Sequence, residues 1–401
     1  MQKKRVVIVV IAGLLIIAAI FAMINLKQIQ QKGLGGFFKS IFSSGGEKRL
    51  DFLVIDFEEL NALDYEILKD DIVCAGKDGV FVINLKGERL WSDSSVSFLK
   101  PCVKTDGNYI LVVDLDEGGK CAVLYKDNKQ IWKENFSQGI ISADLSEDGC
   151  AVIVHNAENY KAEITVLKPS SQAGNKPDIL FNKKSSTEYI IAASISRKSG
   201  QIILSGVTVD EDRIEGSLSF IDMESKNIYN VIKLDKDSYP DVFMKYIDDE
   251  IVITAGSNNL RKIRKAKTAG TDSDFNIDLW TDHSTYKINT LDVEGEHIVA
   301  ASVNVGENLY SDNVESIILL MDIDGKSIKN IQFNETVKHI DIKKDIFAAG
   351  GTHHVSFYTV SGEKLYDYET LPEIQKVVIK DSDNFIIVTN KDIHILTAVP
   401  V

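Results

Sequence analysis

Short β-branched runs at hairpin spacing, a longer period of about 44 residues above them, and one uncharged apolar stretch near the N-terminus predict the fold class. It is all-β: an eight-bladed β-propeller, with seven blades as the alternative, closed by pairing its N- and C-terminal strands and preceded by one transmembrane helix. The chain has 401 residues, 44% hydrophobic and 26% charged, a balance that suits a folded protein rather than a disordered polymer. Its net charge of -14 argues against a general nucleic-acid binder. Four Cys without a CxxC pair exclude a disulfide framework and a thiolate zinc site.

In chain order, residues 1–5 read as a short cytoplasmic tail. Val6 to Leu26 follow as 21 residues without a charge. As a helix they span about 31 Å, against ~30 Å of bilayer hydrocarbon. A signal-peptide core is about 7–15 residues and needs a small-x-small cleavage site; this stretch is longer and has no clean site, so it reads as an uncleaved anchor. Lys3, Lys4 and Arg5 before the span outweigh Lys27, Lys32 and Lys39 after it, because they pack against the helix start with the N-terminal amine. That asymmetry puts the N-terminus inside and the body on the extracytoplasmic side of the cell membrane. The charge split agrees: residues 1–50 hold eight basic side chains against Glu47 alone, while the remainder holds 37 basic and 58 acidic residues.

Residues 27–50 form a juxtamembrane linker. Leu34, Phe37, Phe38, Ile41 and Phe42 fall at helical spacing, which reads as a short interfacial helix. Gly33, Gly35 and Gly36 weaken helix formation and equally suit a plain linker, so both readings stand.

Residues 51–401 carry the propeller. Strand-like runs such as DIVCAG (71–76), VFVINL (80–85), YILVVDL (109–115), IVITAG (251–256) and FIIVTN (385–390) alternate with Asp-Gly, Asn-Lys and Ser-Gly turns, the pattern of antiparallel hairpins. Above the strands, AGKDGVFVINLKGERLW (75–91) aligns with AGGTHHVSFYTVSGEKLY (349–366), and KCAVLYKDNKQIW (120–132) and LLMDIDGKSI (319–328) are further copies. Seven complete units fall at 62–92, 101–135, 139–182, 188–234, 242–282, 286–333 and 337–368. The tail, 374–396, supplies three strands, and DFLVIDF (51–57) is a spare strand before the first unit. Pairing the spare strand with the tail completes an eighth blade and leaves no open edge in the ring.

The Ala-Gly-x-Asp-Gly, strand, Gly-x-x-x-Trp pattern of 75–91 resembles the repeat of PQQ-like, quinoprotein-type propellers. One anchor before one such propeller is also similar to a family of membrane-anchored bacterial propeller proteins. The resemblance implies the fold for residues 51–401; an activity would require a cofactor site of the quinoprotein kind, and no calcium-ligand set or vicinal Cys pair is visible in the sequence.

Candidate sites are few. Trp91, Trp132 and Trp280 fall near the end of the fourth strand of blades one, two and five, where a large aromatic docks between blades. Asp78-Gly79, Asp106-Gly107, Asp148-Gly149 and Asp324-Gly325 suit tight turns; Asp322-Ile-Asp324-Gly325 looks like the start of a calcium loop, but Phe333 stands where its twelfth-position Glu would be. Most of the seven His lie in different blades, and only His353 and His354 are adjacent; Cys74, Cys102, Cys121 and Cys150 read as small buried thiols with a bridge left open, and no nucleophile or phosphate-loop motif occurs. No catalytic residue, metal or cofactor is therefore expected. Arg261, Lys262, Arg264, Lys265 and Lys267, five basic residues in seven, form the candidate anionic-surface site, for wall polymer, lipid headgroups or an acidic partner; a solvated hairpin tip is the plainer reading.

These features lead to an expectation of a membrane-anchored, non-catalytic interaction scaffold in the cell envelope, with an envelope protein as partner and no nucleic acid. The alternative is a ligand-binding sensor or quinoprotein-like enzyme using the propeller channel.

Overall fold

The computed structural model describes residues 48–56, 62–115, 118–170, 176–196, 198–210, 213–234, 240–264, 276–281, 286–304 and 315–400. The expected anchor (6–26) and most of the linker lie outside them; among the described residues no helix is long and apolar enough to cross a membrane. Two compact units divide the chain, Met1–Leu50 with Ala398–Val401, and Asp51–Thr397. The second carries the blades; of the first, only the start of β1 and the end of β32 are described.

All described elements are strands. β1 (Lys48–Asp56) comes first. Blade 1 is then β2 (Ala62–Leu68), β3 (Asp71–Gly76), β4 (Gly79–Ile83) and β5 (Arg89–Asp93); blade 2 is β6 (Pro101–Asp106), β7 (Tyr109–Asp114), β8 (Cys121–Lys126) and β9 (Lys129–Asn135). Blade 3 is β10 (Ile140–Leu145), β11 (Ala151–Ala157), β12 (Tyr160–Lys168) and β13 (Asp178–Ser185); blade 4 is β14 (Tyr189–Ser196), β15 (Gln201–Asp210), β16 (Arg213–Asp222) and β17 (Ile228–Lys233). Blade 5 is β18 (Phe243–Tyr246), β19 (Ile251–Ala255), β20 (Asn259–Arg264) and β21 (Asn276–Thr281); blade 6 is β22 (Tyr286–Glu294), β23 (His297–Asn304), β24 (Ser316–Asp322) and β25 (Ser327–Phe333). Blade 7 is β26 (His339–Lys343), β27 (Ile346–Gly350), β28 (His354–Thr359) and β29 (Lys364–Glu369). Blade 8 takes β30 (Ile374–Ile379), β31 (Asn384–Thr389) and β32 (Asp392–Pro400) from the tail, and its outermost strand is β1.

Eight four-stranded sheets therefore close with the expected exchange of the first strand into the last blade. The spare strand starts at Lys48, three residues before the expected boundary. Local chemistry explains the hairpins. Asp127 and Asn128 both take positive φ, 48° and 61°, as a two-residue type I′ turn requires. Gly79 sits at φ 111°, where an added Cβ would collide with the Asp93 carbonyl.

The core lies in the seams between blades rather than inside any one of them. Tyr65, Ile72 and Cys74 of blade 1 pack on Ile386, Val388 and Ile393 of blade 8. Val73 and Val82 of blade 1 pack on Phe98, Val112 and Tyr125 on the blade 2 side, and corresponding clusters fill the following seams through blade 7. Between blades 7 and 8, Phe357 meets Phe385 at 4.3 Å between ring centroids. Each sheet is apolar on both faces, which is why the second and third strands read as unbroken β-branched runs.

Candidate functional site

The innermost strands β2, β6, β10, β14, β18, β22, β26 and β30 all contribute to one central cavity of about 1130 Å³. Register identifies one equivalent position on each. Glu66 pairs with Val73, Lys104 with Leu111, Asp144 with Val152, and Ser194 with Ile203. Lys245 pairs with Ile253, Asp292 with Val299, Asp341 with Ala348, and Val378 with Ile386. Directly paired residues of antiparallel strands share a face, and here it is the face turned to the following blade. All eight residues line the cavity, so the channel wears a belt in which six of eight positions are charged.

The belt stitches blades together. Asp144 Oδ2 accepts from Ser194 Oγ at 2.8 Å and from the Ile195 N–H at 3.0 Å. Lys245 Nζ reaches Asp292 Oδ1 at 2.8 Å; Asp292 Oδ2 accepts from the Ile342 N–H at 3.2 Å, and Asp341 Oδ2 from the Ile379 N–H at 2.6 Å. Each link runs from one blade to the next. Between blades 8 and 1 the donor is Lys376, two residues before Val378, which binds Glu66 Oε2 at 2.9 Å. Asp64 continues the series, accepting from the Val103 N–H at 2.7 Å.

Electrostatics follow from this crowding. Burial, reinforced by the neighbouring Asp292 charge and opposed by the Ile379 N–H, pushes the Asp341 carboxyl up to about 7. Burial, then the Glu147 and Asp144 charges, raise Asp106. Burial works to lower the Lys104 ammonium, but Asp144, Glu66 and Asp64 outweigh it and its pKa is raised. The same contest, with Glu66 as the main opposing charge, raises Lys376. Opposite charges thus raise the two buried ammonium groups, while at Asp341 burial is joined by a neighbouring acid, Asp292.

The opposite end of the blades has a different character. Leu63, Leu99 and Leu371 are exposed where the chain runs into an innermost strand, Leu371 at 96%; Val242, 67% exposed at the same kind of position, also lines the cavity. Val209 and Ile214 face each other across the tip of the β15–β16 hairpin and are also exposed. In an up-and-down sheet those connections share one end.

The residues singled out in the sequence are placed as follows. Trp132 is fully buried among residues of blades 2 and 3. Trp91 packs edge-on against Tyr125 of blade 2 at 5.0 Å. Both sit mid-strand in the fourth strands. Trp280 lies opposite Leu260 in register, and its side chain is outside the described residues. Of the basic run, Arg261, Lys262 and Arg264 fall within the described residues. Asn259–Arg264 is a buried third strand; Arg261 Nη1 pairs with Asp241 Oδ1 at 2.7 Å, both buried, and Lys262 Nζ with Asp324 Oδ1 at 2.7 Å. Arg264 is exposed, and Lys265 and Lys267 lie outside the described residues. The four Cys are free thiols, Cys74 and Cys150 buried, Cys102 and Cys121 half-buried. Asp322-Ile-Asp324-Gly325 forms a turn in which Asp322 Oδ1 accepts from the Asp324 and Lys326 N–H groups.

No curated protein matches the chain. Among solved structures it is similar to Ika8, a computationally designed protein, at 12% identity with a TM-score of 0.60, covering 89% of this chain and 98% of that one. It is similar to Chaetomium thermophilum Sqt1, solved bound to the N-terminus of the ribosomal protein L10, at 10% identity and a TM-score of 0.55, covering 83% and 94%. The Neurospora crassa Pan2 WD40 domain gives 9% identity and a TM-score of 0.51, covering 88% and 96%. At such identities these likenesses speak for the propeller fold alone. Over residues 54–397 the chain matches the model of DUF5711, a family of unknown function, and it belongs to that family.

Proposed function

We propose that the protein is a membrane-anchored, extracytoplasmic β-propeller of PQQ-like descent that acts as a non-catalytic interaction scaffold in the cell envelope. The observation carrying this reading is the set of exposed apolar side chains, Leu63, Leu99, Val242 and Leu371, each at the entry to an innermost strand, with the exposed Val209–Ile214 hairpin tip. Exposed apolar groups on a rigid frame favour protein contact. The uncharged stretch Val6–Leu26, flanked by Lys3, Lys4 and Arg5, supports a tether, which raises the local concentration of the disc near other membrane proteins. Sqt1, a similar fold, is solved holding a peptide segment of another protein.

The test is photo-crosslinking in membranes from an unnatural residue placed at Leu371 or Val242. One reproducible partner, lost when the other position is changed to Glu, is the expected result. Absence of any partner specific to these positions would remove the scaffold. The cavity of about 1130 Å³ favours a second reading, a sensor that takes a small ligand in the channel.

A further inference from the structure

We propose that the central channel is a receptor for an organic cation, an ammonium or guanidinium group on a flexible chain, held against Asp292 and Asp341. This deepens the scaffold reading, because a lysine- or arginine-bearing segment of the partner would supply such a group; a free polyamine carries the same chemistry.

The cavity comes first. It is about 1130 Å³ and runs from the belt to the turns after the innermost strands. Its described lining holds nine carboxylates, against the ammonium groups of Lys69, Lys104, Lys198, Lys245, Lys343 and Lys380. Three of those six are already engaged, Lys245 with Asp292, Lys198 with Glu147 at 3.2 Å, and Lys380 with Asp70 at 3.1 Å. The excess is negative. Low-dielectric walls concentrate such a field on whatever occupies the channel.

Asp341 supplies the second, independent observation. Its Oδ2 is satisfied by the Ile379 N–H. Its Oδ1 makes no hydrogen bond, and no ammonium pairs with it, among the described residues, although it lines the cavity. The adjacent belt carboxylate, Asp292, has both oxygens directed into protein contacts, to Lys245 and to the Ile342 and Val293 N–H groups. An incoming cation would complete Asp341 and relieve its repulsion with Asp292 in one step.

Occupancy carries a signature that mere surface attraction lacks. A cation beside Asp341 favours its ionised form, so binding near pH 7 releases protons. The experiment is calorimetric titration of the full-length chain in mild detergent with spermidine and with a lysine-rich peptide. It is run at pH 7 in two buffers of different ionisation enthalpy. Saturable binding with proton release, weakened about tenfold or more in D292N/D341N, is expected; a thermal melt of the variant checks that it is folded. Tighter binding of the peptide assigns the occupant to a partner segment, and tighter binding of spermidine to a free polyamine. No binding of either probe, equal binding by a folded D292N/D341N, or binding without proton release overturns the proposal. Amine binding without a partner crosslinked at Leu371 removes the scaffold reading alone, and the converse removes the channel site alone.

Discussion

Lys376 Nζ, on the innermost strand of the last blade, donates to Glu66 Oε2 on the innermost strand of the first at 2.9 Å, and also to the Tyr65 carbonyl. The ring is thus fastened at its axis by one ammonium and at its rim by β1. Replacing Lys376 by Met keeps the stem but leaves a part-buried carboxylate and a carbonyl without their donor. We expect a loss of about 1–3 kcal/mol in urea unfolding, larger than for Lys364→Met on the exposed fourth strand. Equal midpoints for the two variants would show that the inner fastening contributes nothing.

Asp341 makes stability depend on pH in a direction opposite to a salt-bridged carboxylate. Its carboxyl is raised in the folded chain to about 7, against 3.8 for the free group, so the folded state holds its proton to higher pH than the unfolded state does. The stabilising effect is complete below about pH 4 and is lost as pH rises through 7. Melting of the wild type and of D341N between pH 4 and 8.5 should therefore diverge, the wild type losing ground as pH rises. Parallel curves would contradict the crowding of Asp341 by Asp292.

Trp132 is fully buried, yet its Nε1 finds no hydrogen-bond partner among the described residues. Its contribution is volume in the seam between blades 2 and 3. Trp132→Ala should cost about 3–5 kcal/mol, and Trp132→Phe much less, because the lost N–H was unsatisfied. Chemical denaturation of both variants decides this; equal costs would mean that the indole nitrogen has a partner after all.

Arg261 and Arg264 lie three residues apart and should behave oppositely. Truncating Arg261 to Ala removes the guanidinium that pairs with the buried Asp241 carboxylate, whose Oδ2 also accepts from Thr254 Oγ1 at 2.6 Å, at an expected cost of about 3–5 kcal/mol. Arg264→Ala, at an exposed site, should stay within about 0.5 kcal/mol. Retention on anionic vesicles, measured for folded Arg264→Glu, should match the wild type if no basic patch exists on this strand.

The ring was legible because its signals are local. Asp78-Gly79 declares its turn, Asn128-Lys129 marks another to within one residue, and DFLVIDF declares a strand with no blade of its own. The burial of Arg261 and Lys262 was illegible for the opposite reason. The partners that neutralise Arg261 and Lys262 are Asp241, from the connection before the blade, and Asp324, from the next blade. Nothing near residues 261–267 announces them. The belt was hidden for a related cause. Glu66, Lys104, Asp144, Lys245, Asp292 and Asp341 share a position only through pairing with the second strand. The intervening turns differ in length: two residues separate Leu68 from Asp71, while four separate Tyr246 from Ile251. Sequence spacing therefore loses the phase that register keeps.

Because β1 completes a sheet whose other members are β30, β31 and β32, the first of the described strands to leave the ribosome is the last to find its neighbour. At about 5–20 residues per second, roughly 340 residues of synthesis separate the two, a delay of about 20–70 s. Throughout that interval the backbone of β1 has no strand to pair with, and Ile55 has no seam to pack against. Any premature stop would leave the strand in that state permanently, a target for quality-control proteases.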